Sequence, residues 1–177
     1  MKRVMIVGGP GSGKSTLARQ LGEATGLPVV HIDKIHWKPG WIERSTEEKT
    51  RMCREVHARP EWIFEGGHSR TWNDRAARAD TLIWLDLPVG LRLWRVLRRW
   101  LAWRGRTRPD LPALCPEKLD AEFLGFILRT RVPNRNRVAQ LIAQNPHLNV
   151  SHLRRPRDVR TYLSGWTSEA PDAAISY

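Results

Sequence analysis

The stretch Gly8-Gly9-Pro10-Gly11-Ser12-Gly13-Lys14-Ser15 fits the pattern G-x-x-x-x-G-K-[ST] without departure. Its surroundings fit as well. The apolar run Val4–Val7 enters it as a strand, and a segment with helical periodicity, Lys14–Thr25, leaves it and stops at Gly26. Glycines let such a turn wrap tightly and point several backbone N–H groups inward, making a concave anion site. The helix that follows adds its dipole and its unsatisfied first-turn donors. Lys14 then supplies a mobile positive charge for the β- and γ-phosphates of a nucleotide, and the Ser15 hydroxyl suits Mg²⁺. Gly8, Gly9, Pro10, Gly11, Ser12, Gly13, Lys14, Ser15 and Thr16 are therefore the expected cradle for ATP.

Further along the chain, short apolar runs recur at Pro28–Ile32, Trp62–Phe64, Thr81–Leu87 and, more weakly, His147–His152. Val4–Val7 and the first three of these are continuous rather than alternating, as expected of strands covered on both faces. Helical segments lie between them. Ser45 followed by Glu48 reads as a capping box for a helix that ends before Pro60. Strands alternating with helices imply a parallel sheet with right-handed crossovers, so the expected fold is a three-layer α/β domain with five parallel strands. Gly105–Pro116, with Pro109, Pro112 and Pro116 and no regular period, reads as a functional loop. The expected organisation is one domain over residues 1–166, a lid at about 105–131 inserted in it, and a loosely ordered tail over 167–177.

Composition narrows the function classes. The 177 residues suffice to bury roughly 70% of the unfolded surface, so no disulfide or metal staple is needed. Lys and Arg number 30 against 18 Asp and Glu, a net charge of +12, which points to an anionic partner. No run of about 20 apolar residues could span a membrane, and Met1-Lys2-Arg3 precedes too short an apolar stretch for a secretory signal. Cys53 and Cys115 lie far apart without metal-ligand spacing and read as free thiols of a cytoplasmic protein.

A helix beginning after Pro88 carries Arg92, Arg95, Arg99 and, if it persists, Arg106 on one stripe. Leu93, Val96, Leu97, Trp100 and Leu101 form the other face, expected to dock on the sheet. Guanidinium planes grip phosphate oxygens and stack on purines, and phosphoryl transfer depends on positioning and on neutralising the moving group. Three acids stand at carboxyl ends of expected strands, the edge where open α/β sheets bind ligands: Asp33, Glu65 and Asp86. Asp86, just before Leu87-Pro88, is expected to cap the helix entry.

Taken together, Val4–Thr16, Glu61–Arg70, Leu85–Pro88 and the Arg-rich helix resemble small adenylate-kinase-like P-loop kinases. His31–Trp37, Arg106–Asp110 and Cys115–Asp120 are further similar to bacterial proteins labelled DNA topology modulation protein, a group built on that scaffold. The resemblance covers nearly all of the chain except about the last dozen residues. It implies that Arg95 and Arg99 contact the adenine and phosphates of ATP and carry transition-state charge with Lys14. It implies that Asp33 meets the acceptor or the metal, and that Glu65, in the place of the family's Asp, reaches Mg²⁺ through water. It also implies that Arg70 holds the acceptor's phosphate if the acceptor carries one, with Arg131 in a second phosphate-clamping cluster. His36, Trp37 and Trp41 either line the acceptor pocket or, for the tryptophans, pack core and lid.

The leading expectation is transfer of the γ-phosphoryl of ATP·Mg²⁺ to a small acceptor, a nucleoside monophosphate first and a hydroxylated metabolite of the shikimate or gluconate type as the alternative. Nucleic-acid binding, suggested by the interleaved Trp and Arg, stands as a secondary reading. A GTP switch is disfavoured by the lack of Asn-Lys-x-Asp, and a motor by size and missing motor motifs. Membrane-surface attachment is disfavoured because the apolar face of the mid-chain helix should be core.

Overall fold

In the computed structural model, which describes residues 1–167, the apolar runs become the strands of one sheet. The order along the chain is β1 (Arg3–Gly8), α1 (Lys14–Thr25), β2 (Val29–His31), α2 (Ile32–His36), β3 (Trp37–Lys38), β4 (Ile42–Glu43) and α3 (Thr46–His57). Then come β5 (Trp62–Glu65), α4 (Trp72–Arg78), β6 (Thr81–Leu85), α5 (Val89–Trp103), α6 (Ala121–Arg129), α7 (Arg131–Gln144), β7 (Asn149–Leu153) and α8 (Pro156–Thr167). The main sheet runs β2-β5-β1-β6-β7, parallel throughout, and β3 and β4 form a separate antiparallel hairpin.

Apolar side chains on the two faces of the sheet make two cores. On one face Met5, Val7, Phe64, Leu82 and Trp84 pack with residues of α3, α4 and α7. On the other, Val4, Ile6, Ile63, Ile83 and Leu85 pack with Leu17, Ala18 and Leu21 of α1 and with α8. Every residue of β5 and β6 is buried, which is why those strands read as continuous apolar runs. The chain winds to one side of β1 with β5 and β2 and to the other with β6 and β7. The loops leaving the carboxyl ends therefore diverge around β1 and open a crevice.

The local signals for α1 and α3 act as expected. Gly26 ends α1 in the left-handed conformation, its N–H bonded to the Gly22 carbonyl at 2.9 Å. Ser45 caps α3 by accepting from the Glu48 N–H at 3.2 Å. The Glu48 carboxylate turns instead to Arg44 and Lys38, so only half of the capping box forms.

The Arg-rich helix departs from expectation. α5 ends at Trp103, which leaves Arg106 off the stripe. Its buried residues are Arg92 and Val96, whereas Leu97 and Leu101 are 46% and 62% exposed. The helix packs on the phosphate loop rather than broadside on the sheet, so the stripe expected to face solvent or ligand turns inward. Asp86 is also used differently. Its carboxylate takes Arg135 Nε at 3.1 Å and His152 Nε2 at 3.0 Å, and the His152 ring stacks on Trp84. Asp86 ties β6 to β7 and α7 and does not cap α5, whose N-cap is Pro88.

Residues 104–120 are more ordered in design than their composition suggested. Two isolated bridges, Arg104 with Glu117 and Thr107 with Pro116, close the loop, and Leu111 and Cys115 are buried inside it. Of the expected tail over 167–177, only Thr167, the end of α8, belongs to the described residues.

Candidate active site

Backbone geometry sets the shape of the loop between β1 and α1, which lines a cleft. Gly11 has φ +75°, and a Cβ there would run into the backbone carbonyl of Arg92, so only glycine fits. Ser12 N–H donates to Gly9 O at 3.2 Å, and Lys14 Nζ donates to the same carbonyl at 3.2 Å. The first helical bond of α1 runs from Leu17 N–H to Gly13 O. The amides of Lys14, Ser15 and Thr16 therefore have no partner within the helix, and they face the loop as donors. Burial holds the Lys14 pKa down, while Glu65 and Asp33 pull it back up.

The carboxyl edge brings acids to this lysine. Glu65, at the end of β5, is buried, and its Oε1 accepts from Ser15 Oγ at 3.0 Å and lies 2.9 Å from His31 Nδ1. Asp33, in the first turn of α2, has its pKa pushed up to about 6 by burial and by Glu65, with Lys14 and Arg108 pulling the other way. Among the described residues no group of three His, Cys, Asp or Glu side chains is arranged to hold a metal alone. A hydroxyl beside a carboxylate is nevertheless a fitting oxygen donor pair for Mg²⁺, which keeps waters and phosphate oxygens as its remaining ligands.

Arginines of α5 grip the loop from above. Arg92 Nε donates to Pro10 O at 3.0 Å, and its guanidinium lies against Gly9 so closely that a Cβ there would clash. Arg95 Nη1 donates to Ser12 O at 3.1 Å. Arg99 turns to Glu117, with Nε and Nη2 each 2.8 Å from Oε1. Arg108 joins the same carboxylate at 2.5 Å and reaches Asp110 at 2.6 Å. Arg92, Glu117 and Arg108 were not singled out for the site by their sequence. Arg92 lay on the stripe but carried no role, because sequence spacing does not reveal which way a helix is rotated.

One cleft of about 1580 Å³ runs past the loop, the acids Asp33 and Glu65 and the arginines. It is lined by the loop, Asp33, His36, Trp37, Glu65, Arg95, Arg99 and Arg131. Burial and Lys49 hold the His36 pKa down, and its ring meets Trp37 edge-on. Trp41 does both things left open for it: it lines the cleft and fixes the 104–120 segment, donating from Nε1 to Pro116 O at 3.1 Å. Arg70 is not brought to the cleft. It lines a separate groove of about 670 Å³ on the outside of α3 with Arg51 and Arg54.

A phosphate loop at the carboxyl end of the central strand of a five-stranded parallel sheet, with arginines above it and acids beside it, defines a P-loop kinase-like fold. A family model described as AAA domain matches residues 4–100, more than half of the chain, and the chain belongs to that family. No curated protein sequence matches it. Among solved structures, a shikimate kinase from Acinetobacter baumannii in complex with shikimate aligns at 17% identity and a TM-score of 0.58, covering 93% of this chain and 90% of that one. A shikimate kinase from Aquifex aeolicus aligns at 15% identity and 0.54, covering 95% and 98%. A gluconokinase from Sinorhizobium meliloti aligns at 16% identity and 0.54, covering 94% and 92%. At these identities the likeness is one of fold. No helix among the described residues is long and apolar enough to cross a membrane.

Proposed function

We propose that the protein is a kinase that moves the γ-phosphoryl of ATP to a hydroxyl of a small hydroxylated metabolite. The observation that carries this reading is that Lys14, Asp33 and Glu65 line one cleft with the phosphate loop. A carboxyl group with a pKa near 6 is matched to accept a proton near neutral pH. Asp33 takes the proton of the acceptor hydroxyl as its oxygen attacks the γ-phosphorus, and the bond to the β-phosphate bridging oxygen breaks. Lys14 and the loop amides neutralise charge on the phosphates, with Arg95 and Arg99 following as the 104–120 segment closes as a lid and excludes water. Ser15 and Glu65 would hold Mg²⁺, which would supply positive charge to offset the charge developing on the phosphates.

A nucleoside monophosphate acceptor rests on Arg70 and on the adenylate-kinase-like resemblance, and the Arg70 side chain faces the groove on α3. The solved neighbours are kinases of shikimate and gluconate type, which supports a hydroxylated acceptor over a nucleotide. The finer resemblance to the DNA topology modulation group adds no acceptor.

The test has two parts. Mg·ATP is expected to raise the melting temperature of the protein, and Lys14→Ala to abolish that shift. ADP release across a panel of polyols, hydroxy acids and nucleoside monophosphates should then rise above background with a hydroxylated metabolite. Stimulation by a nucleoside monophosphate alone would reverse the choice of acceptor.

A further inference from the structure

Behind Glu65, on the side away from the cleft, a guanidinium is sealed in the core. Arg75 of α4 is fully buried, and its Cζ lies 3.7 Å from the centroid of the Phe64 ring. Its Nη1 donates to the Gly66 carbonyl at 2.9 Å and its Nε donates to His57 Nε2 at 3.2 Å. An arginine nitrogen can only donate, so His57 Nε2 is bare and Nδ1 carries the proton. That proton is given to Asp74 Oδ2 at 2.5 Å. Arg75 thus donates both ways, to Gly66 at the exit of β5 and through His57 of α3 to Asp74 of α4.

The Gly66 end of this network matters because Gly66 directly follows Glu65. The Gly66 N–H donates to Ile6 O of β1 at 3.1 Å, and its carbonyl is the one Arg75 takes. Its φ is +98°, and a Cβ would strike the Ile32 side chain, so this turn is built on glycine and pinned at both ends. Rotation of the turn would carry the Glu65 carboxylate away from Ser15. A guanidinium is an expensive core filler, since burial opposes its charge, whereas an apolar side chain would fill the volume at no such cost. The acids that answer its charge are Glu65 and Asp74, while burial pushes the neighbouring Cys53 thiol up and leaves it uncharged.

We propose that Arg75, oriented by His57 and Asp74, is the positioning residue of the metal end of the site: it locks the Glu65-Gly66 turn so that Glu65 stays facing Ser15. The inference rests on the kinase reading above, and its test is made on binding, with no acceptor needed. ATP is titrated in EDTA and in Mg²⁺ against the wild type, Arg75→Met and Arg75→Lys, with melting temperatures measured in parallel. In the wild type Mg²⁺ tightens ATP binding. Arg75→Met is expected to keep its metal-free ATP affinity within about twofold and to lose roughly tenfold or more of the Mg²⁺ enhancement, the scale seen when groups supporting metal ligands are removed. Arg75→Lys, which keeps a donor, should recover part of it. If Arg75→Met does not fold, His57→Leu tests the same network with the charge retained, and a smaller loss of the Mg²⁺ enhancement is expected. A variant that melts lower yet keeps the full enhancement would reduce Arg75 to a structural role and overturn the proposal. A wild type with no ATP affinity would instead overturn the kinase reading itself.

Discussion

Asp33 holds its proton more tightly in the folded protein than in the unfolded chain, its pKa moving from the ordinary 3.8 to about 6. The stabilising part of that difference is complete below about pH 4 and is lost as pH rises through about 6. At neutral pH the ionised, crowded carboxylate is a net cost. Asp33→Asn should therefore raise stability at pH 7, on the order of 1–2 kcal/mol, and the gain should vanish near pH 4. The same substitution should abolish transfer. In the wild type the rate should fall about tenfold per unit below pH 6, because a protonated carboxyl cannot take the hydroxyl proton. Calorimetry and a pH–rate profile check both signs. The placement of Asp33 on the cleft was legible because an acid just past a strand's carboxyl end stands at the binding edge. Its perturbation was not, because that arises from burial in the folded chain and from Glu65, 32 residues away, opposed by Lys14 and Arg108 in other segments.

At the scale of elements, periodicity located α5 but misjudged its rotation. An amphipathic pattern assumes that apolar side chains face the core, yet here the inward stripe holds Arg92, whose alkyl stem packs while its fork caps the Pro10 carbonyl. The physical cause is that an exposed backbone loop offers acceptors an apolar face cannot satisfy. Arg92→Met should leave the Pro10 carbonyl unpartnered and loosen the loop from α5. We expect a loss of about 2–3 kcal/mol in unfolding free energy together with weaker ATP binding. Denaturant melts with and without Mg·ATP separate the two, since a loop effect enlarges the loss when nucleotide is present. The reading of α1 and α3 succeeded because their caps are local, Gly26 and Ser45 acting within four residues. The β3–β4 hairpin and its tie from Trp41 to Pro116 connect segments 75 residues apart, and no short pattern records that.

Over the whole molecule, Arg99 of α5 and the segment that carries Arg108, Asp110 and Glu117 are joined in one charge cluster. Arg99 and Arg108 both rest on Glu117, which is buried, and Arg108 also on Asp110. Removing that carboxylate takes the counter-charge from Arg99 and leaves Arg108 with Asp110 alone. Glu117→Gln should raise amide hydrogen exchange over residues 104–120 of the nucleotide-free protein by about tenfold or more, equivalent to roughly 1.4 kcal/mol of local stability. Unchanged exchange would mean that the bridges at Arg104 and Thr107 hold the segment unaided. The sheet order has a consequence of another kind. The strand made first, β1, ends at the centre, and β2, made next, does not touch it, since β5 lies between them. A polypeptide emerging from the ribosome thus carries its phosphate-binding turn well before a neighbouring strand of the sheet can flank it. No lateral strand pairing within the sheet can begin until residue 65 is clear of the exit tunnel, so this half of the molecule must assemble late and all at once.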